Sequence, residues 1–398
     1  MNGPDRGNKA PASRPFVSIC MVTHGARDWV ERALDAVVAN TPPGRYELVV
    51  VDNASGDGSG AFVRDYATAH DTPMRIELCD DNLGFAAGND LAANLASGEV
   101  LCLLNSDALV PPGWFDALLA PLASDPAVAA TLPLFVGLDG RLQEAGANVE
   151  PDGRVEAFGI RADPDDVEWS WPRRVTYGSA ACWTVRTSVF RAIGGLDAGY
   201  GLGYYEDADF AFELARRRLR IDLVPSVRVV HAQGASSPSS AVATERRDAN
   251  QARFVARQRA LLGHHWHTLD VPNEPHRYFA ARDADIAYRV LLVLEELPPD
   301  GLPEWETPDS RLTIALPAAR LAHDTAAVRQ LRDRGIEVVV GDSEQALRDR
   351  LFLLDEVIAP AEWLDRETTL LDEWQPQAER VRLEPARTGA PATFVERA

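Results

Sequence analysis

Lysine is all but missing from this chain of 398 residues: Lys9 is the only one, and the remaining basic charge is arginine. A lysine-dependent phosphate loop or a Schiff-base mechanism therefore has no candidate within the folded region. Cysteine is sparse, and Cys20, Cys79, Cys102 and Cys182 are scattered. Zinc would need paired ligands at close spacing and a secreted disulfide framework would need a leader. Neither pattern occurs, so buried free thiols are expected. No stretch reaches the roughly 18 apolar residues of a bilayer span, so no transmembrane segment is expected. Residues 1–14, MNGPDRGNKAPASR, lack the apolar core of a signal peptide and read as a loose tail, which makes the cytoplasm the expected compartment. Positive charge is also short. A net charge of -20 and a pI near 4.8 would repel a phosphate backbone, so no nucleic-acid partner is expected and any anionic ligand must be held locally. Peripheral membrane contact and a homodimer stay open.

What is present is ordinary globular material, 46% hydrophobic and 25% charged, and too long for one comfortable domain. We expect a first domain over 15–265, a linker over 266–284 and a small α/β unit over 285–398. From Phe16 short apolar runs alternate with helical patterns, the mark of a mostly parallel sheet covered by helices. FVSICMV (16–22), YELVVV (46–51), MRIELC (74–79) and EVLCLL (99–104) read as strands. Asp28 is expected to cap a helix carrying Trp29, Ala33, Val37 and Val38 on its apolar face. Helices are also expected near 60–69, 86–97, 206–220 and 246–262. Residues 130–204 have weak periodicity, IDLV and VRVV read as separate apolar pieces, and 232–242 reads as a flexible loop. In the C-terminal unit YRVLLVLE, RLTIALP, GIEVVVG and EVIAP look like strands, with helices over 324–334 and 343–351. No glycine-rich phosphate loop follows the first of these strands, where Glu295-Glu296-Leu-Pro-Pro stands instead, so an interaction or stabilising module is expected.

The polar residues of the first domain collect just past the C-terminal ends of its strands, where open α/β sheets place ligands. Carboxylates stand out there: Asp52, Asp107, Glu206, Asp207 and Asp209. Each has a bland alternative. Asp52 and Asn53 suit an Asx turn, and the acids at 206, 207 and 209 suit a helix N-terminus. His231 could simply end a strand.

Seven ordered blocks weigh against the bland readings: VSICMVTHGARDWVERALDAVVAN, VVVDNASGDGS, NLGFAAGNDLAA, LCLLNSDALVPPGWF, YGSAACWTVRTSVFRAIGGLD, YYEDADFAFELARRR and VVHAQGAS. Together, over about 16–235, they resemble family 2 glycosyltransferases of the GT-A fold, in particular rhamnosyltransferase-like members. That resemblance implies transfer of a sugar, with inversion, from a nucleotide diphosphate sugar (UDP-, dTDP- or GDP-linked). The acceptor would be a hydroxyl of a glycan, a lipid-linked glycan or a small metabolite. It implies that Asp52 and Thr23 meet the nucleotide base, with Asn53 beside them. Asn82, Gly84, Phe85 and Asn89 would line ribose and diphosphate, and Asp107 would hold a divalent cation, Mg²⁺ or Mn²⁺, with His231 as a further ligand. The sequence departs from the family at two places. Asn105-Ser106-Asp107 replaces a full Asp-x-Asp, so Asn105 is expected on the donor side rather than as a metal acid. His24 and Gly25 replace the usual tyrosine and asparagine.

The chemistry asks for these residue types. A departing diphosphate carries charge that a cation on hard ligands can offset. An acceptor hydroxyl is a poor nucleophile until a carboxylate takes its proton, and Asp207, next to Glu206, is the expected base. Weaker candidates are Arg216, Arg217 and Arg218 for diphosphate, Trp169, Trp171 and Trp183 for sugar stacking, and His264, His265 and His267 for a metal. For these a solvated face, core packing and a surface role are the stronger expectations. The rival functions are a sugar nucleotidyltransferase, which would want a basic glycine-rich loop and a lysine, and a nucleotide-sugar binding or scaffold protein without turnover.

Overall fold

The computed structural model describes residues 17–166, 169, 172–232, 240–262, 288–298, 310–323, 325–333, 336–342, 347, 354, 356–374 and 378–383. Contacts divide the chain into two compact units, Met1–Trp169 with Arg174–His265, and Ser170–Arg173 with Trp266–Ala398. The expected tail 1–14 and linker 266–284 lie outside the described residues.

The first unit opens with β1 (Val17–Thr23), α1 (Arg27–Asn40), β2 (Tyr46–Asp52), α2 (Ser59–Ala69), β3 (Met74–Leu78), α3 (Gly84–Leu95) and β4 (Val100–Asn105). β1, β2 and β4 are almost continuously apolar because both faces are covered, as parallel strands between helices require, whereas β3, at the end of the strand order, alternates buried and part-exposed positions. After them come β5 (Ala108–Leu109), α4 (Trp114–Ser124), β6 (Val128–Val136), β7 (Leu142–Glu144), β8 (Ala147–Val149), β9 (Val155–Ala157), β10 (Arg173–Val175), β11 (Cys182–Arg186) and α5 (Thr187–Ile193). The unit closes with α6 (Glu206–Arg216), β12 (Arg220–His231) and α7 (Ser240–Leu262). The main run of its ten-stranded sheet is β12-β6-β11-β4-β1-β2-β3. It is parallel from β4 to β3 and between β6 and β12, with β11 antiparallel to both its neighbours. One core joins the sheet to α1, α2 and α4.

Several local expectations are corrected. Asp28 does not cap α1: it sits in the first turn, and the amide of Arg27 donates instead to Asp57 Oδ2 (3.0 Å), from the loop after β2. The buried stripe is Val30, Ala33, Leu34 and Val37, so Trp29 and Val38 flank the core. Within the weakly periodic stretch 130–204 lies most of β6, a strand buried along its whole length. The helix expected over 206–220 stops at Arg216, where Arg218 turns the chain with φ 57°. IDLV and VRVV are one strand, β12, whose pairing with β6 shifts register between Val224 and Arg228, around Pro225, which has no N–H to give the ladder. Residues 240–242, expected in a loop, begin α7; 233–239 lie outside the described residues. The four cysteines are free, and all but Cys79 are buried.

The second unit is a five-stranded, all-parallel sheet in the order β15-β14-β13-β16-β17, from β13 (Tyr288–Val293), β14 (Ser310–Leu316), β15 (Glu337–Val340), β16 (Glu356–Pro360) and β17 (Glu379–Leu383). Helices cover 318–323, 325–333, 361–366 and 368–374. β17 and the last two helices were not expected from sequence; the helix expected over 343–351 lies outside the described residues except at Leu347. Among the described residues no helix is long and apolar enough to cross a membrane.

Candidate active site

The C-terminal ends of β1, β2, β4 and β12 and the start of α6 open on one cleft of about 1240 Å³, all of whose lining belongs to the first unit. Of the expected site residues, Asn53, Asn82, Gly84, Phe85, Asn105, Asp107, Glu206, Asp207 and His231 line it. Residues some 180 apart in sequence thus share one space.

At one end, Asn53 acts as a fastener. Its amide donates to Asn82 Oδ1 (2.9 Å) and to the Gly84 carbonyl (3.1 Å), and its Oδ1 accepts from Leu83 N (2.8 Å). Gly84 has φ +85°, and a Cβ there would come within 2.3 Å of the Gly201 carbonyl, so glycine is needed both for conformation and for close approach. Thr23 and Asn89 do not reach the cleft. The Thr23 hydroxyl donates to the Gly25 carbonyl and the Asn89 amide to the Phe85 carbonyl, and both side chains are buried. Asp52 is buried outside the lining; its Oδ2 accepts from Ser55 N, while Oδ1 has no hydrogen-bond partner among the described residues.

Midway, β5 pairs with the end of β12, aligning Ala108 with His231. This brings Asp107 Oδ1 to 3.3 Å from His231 Nε2, with Asn105 Nδ2 3.4 Å from the same nitrogen. A carboxylate oxygen and an imidazole nitrogen side by side are a fit donor pair for Mg²⁺ or Mn²⁺. Among the described residues no group of three or more acids, histidines or cysteines gathers around a cation position, so further ligands would come from substrate or water.

The far wall carries the carboxylates of α6. Asp207 Oδ2 accepts from the Tyr177 hydroxyl (2.8 Å) and Ala180 N (3.2 Å), and Oδ1 from Ala208 N (2.9 Å). Burial pushes Asp207 up, against the pull of these hydrogen bonds, and burial together with the Asp207 charge pushes Glu206 up. Glu206 Oε2 has no hydrogen-bond partner among the described residues. Asp209 turns away: its carboxylate binds Gln258 (2.7 Å) and Arg257 (3.0 Å), tying α6 to α7. Two residues of this wall were missed in the sequence. Glu144, whose Oε1 accepts from Ser179 N (2.7 Å), is pushed up to about 7 by burial, with the Asp207 charge adding to it. Tyr177 lies within the YGSAACW block but was not singled out.

The weaker candidates stay out of the cleft. Arg216 and Arg217 pair with Glu213, Trp183 is core with Nε1 bonded to the Gly178 carbonyl, and Trp169 packs at Gly159. Trp171, His264, His265 and His267 lie outside the described residues.

Residues 18–193 match the family described as glycosyl transferase family 2. The chain is 27% identical over 238 residues to the O-antigen biosynthesis protein RfbC of Myxococcus xanthus, covering 57% of this chain and 18% of that one. It is 31% identical over 210 residues to the glycosyltransferase AglE of Haloferax volcanii, covering 48% of this chain and 65% of that one. The chain thus spans less than two thirds of either relative. Among solved structures, that of GalNAc-T7 with UDP, GalNAc and Mn²⁺ superposes with a TM-score of 0.50 at 20% identity, over 61% of this chain and 48% of that one, a likeness of fold.

Proposed function

We propose, from the match of residues 18–193 to glycosyl transferase family 2, that this chain is an inverting glycosyltransferase of the GT-A fold using a nucleotide diphosphate sugar. The observation that carries this reading is the convergence of Asp107, His231, Asp207 and the Asn82–Phe85 loop on one cleft. Asn82, Gly84 and Phe85 receive the nucleotide end of the donor. Asp107 and His231 would hold a divalent cation, and that ion would offset charge on the leaving diphosphate.

Asp207 is the base. Tyr177 and two backbone amides fix its carboxylate, and burial raises its basicity. The acceptor O–H proton passes to Asp207 while the acceptor oxygen bonds to the anomeric carbon. The bond from that carbon to the diphosphate oxygen breaks on the opposite face, which inverts the configuration. The acceptor is a hydroxyl of a glycan, a lipid-linked glycan or a small metabolite. Asp207→Asn keeps the shape and removes the proton acceptor, so kcat should fall by about two to four orders of magnitude with nucleotide affinity unchanged. A variant retaining most of its turnover would remove the base assignment. Product NMR giving a retained anomeric configuration would exclude inversion.

A further inference from the structure

The mouth of the cleft combines two features that the transfer reaction alone does not ask for. The first is apolar exposure. Among the described residues six large hydrophobic side chains are exposed, and three of them, Val155 (37%), Ile160 (62%) and Leu202 (44%), line the cleft. Two more, Leu83 and Val242, are chain neighbours of the lining residues Gly84 and Ala243. On a chain with net charge -20, this gathering at one opening marks a binding surface rather than chance exposure. Leu202 is presented there by a strained loop: Gly201 and Gly203 have φ of 72° and 152°, and Tyr204 and Tyr205 follow at 77° and 76°. The Asn250 amide holds that loop through the carbonyls of Tyr200, Gly203 and Tyr204.

The second feature is unpaired positive charge. Ala243, Arg246, Arg247 and Gln251 form one face of α7 and line the cleft with Arg154. Arg154 is paired with Asp152, and elsewhere in the unit Arg216, Arg217, Arg220, Arg253 and Arg257 are all paired with carboxylates. Arg246 and Arg247 pair with none among the described residues; the Arg247 guanidinium instead lies 5.0 Å from the Tyr204 ring centroid. Unpaired arginines beside exposed aliphatic side chains complement an anion joined to an apolar chain.

We propose that the acceptor is an anionic amphiphile: its phosphate or carboxylate group meets Arg246 and Arg247, and its apolar chain lies along Val155, Ile160 and Leu202. Calling this ligand the acceptor rests on the transferase reading; the binding itself does not. The test is calorimetric titration of the full chain with octyl phosphate, octyl β-D-glucoside and inorganic phosphate, below micelle-forming concentrations, with UDP, GDP and dTDP plus Mn²⁺ titrated in parallel. Octyl phosphate should bind at least about tenfold more tightly than either partial probe, since each buried methylene is worth roughly fourfold in affinity. Arg246→Ala with Arg247→Ala should reduce it to the level of octyl glucoside, and Val155→Ser with Ile160→Ser to that of inorganic phosphate. Nucleotide affinity should hold in both variants, which also shows that they fold. Equal octyl phosphate binding by all proteins overturns the proposal. So does a loss of nucleotide affinity with the arginines, which would assign them to the donor diphosphate. Binding to anionic phospholipid vesicles without binding of monomeric octyl phosphate also overturns it, in favour of a membrane surface. Octyl phosphate binding with no nucleotide binding would instead refute the transferase reading.

Discussion

Glu144 faces the cleft with a carboxyl pushed up to about 7, mainly by burial, from an ordinary value of 4.5. A carboxyl raised in the folded state binds more protons folded than unfolded between these values. Its contribution to stability is therefore complete below about pH 4.5 and lost as pH rises through 7. Denaturant midpoints should fall between pH 5 and pH 8, and Glu144→Gln, which keeps an acceptor for Ser179 N, should flatten that fall. An unchanged slope would show that other groups set it. Residues whose chemistry declares itself in sequence were the ones legible there. Asp107 and His231 stand at strand ends within recognisable blocks and do come together. Glu144 sits on a three-residue strand with no local pattern to mark it, and Tyr177 opens a recognisable block in which nothing distinguishes it from its neighbours. Only the folded sheet puts them beside Asp207, and only in the fold do Thr23 and Asn89 spend their side chains on neighbouring carbonyls.

Element by element, the sequence spoke clearly wherever apolar residues ran unbroken between turn signals, as in β1, β2 and β4. β6 was obscured because it lies in a stretch rich in glycine, proline and tryptophan, and its burial comes from β11 and β12, partners distant in sequence. The start of α1 was misread because its capping acceptor, Asp57, comes from another loop. Two element-scale outcomes follow from the loops around the cleft. Asn250→Ala removes the clasp on residues 200–204 and should cost about 1–3 kcal/mol in denaturant unfolding. Amides of that loop should also exchange faster. Gly84→Ala asks for a positive φ and drives a Cβ into the Gly201 carbonyl, so it should destabilise the fold by about 1–3 kcal/mol and weaken nucleotide binding. Wild-type stability and affinity in that variant would show that the loop yields freely.

For the whole molecule, the α/β class and the mostly parallel sheet flanked by helices were legible from alternation of strand and helix patterns. The role of the second unit was not, since its strands carry packing residues and no chemistry-bearing block. Every lining residue of the cleft belongs to the first unit. Trp363→Ala, at a buried site in the second unit's own core, should cost that unit about 3–5 kcal/mol and leave nucleotide affinity unchanged. A parallel loss of nucleotide binding would show dependence of the site on that unit. The most direct measurement for the account as a whole is calorimetric titration of wild type and Asp107→Ala with UDP, GDP and dTDP, each with and without Mn²⁺. At least one nucleotide should bind wild type more tightly with Mn²⁺, by about tenfold or more, and lose that gain in the variant. No nucleotide binding at all, or a Mn²⁺ effect that survives the loss of Asp107, would contradict it.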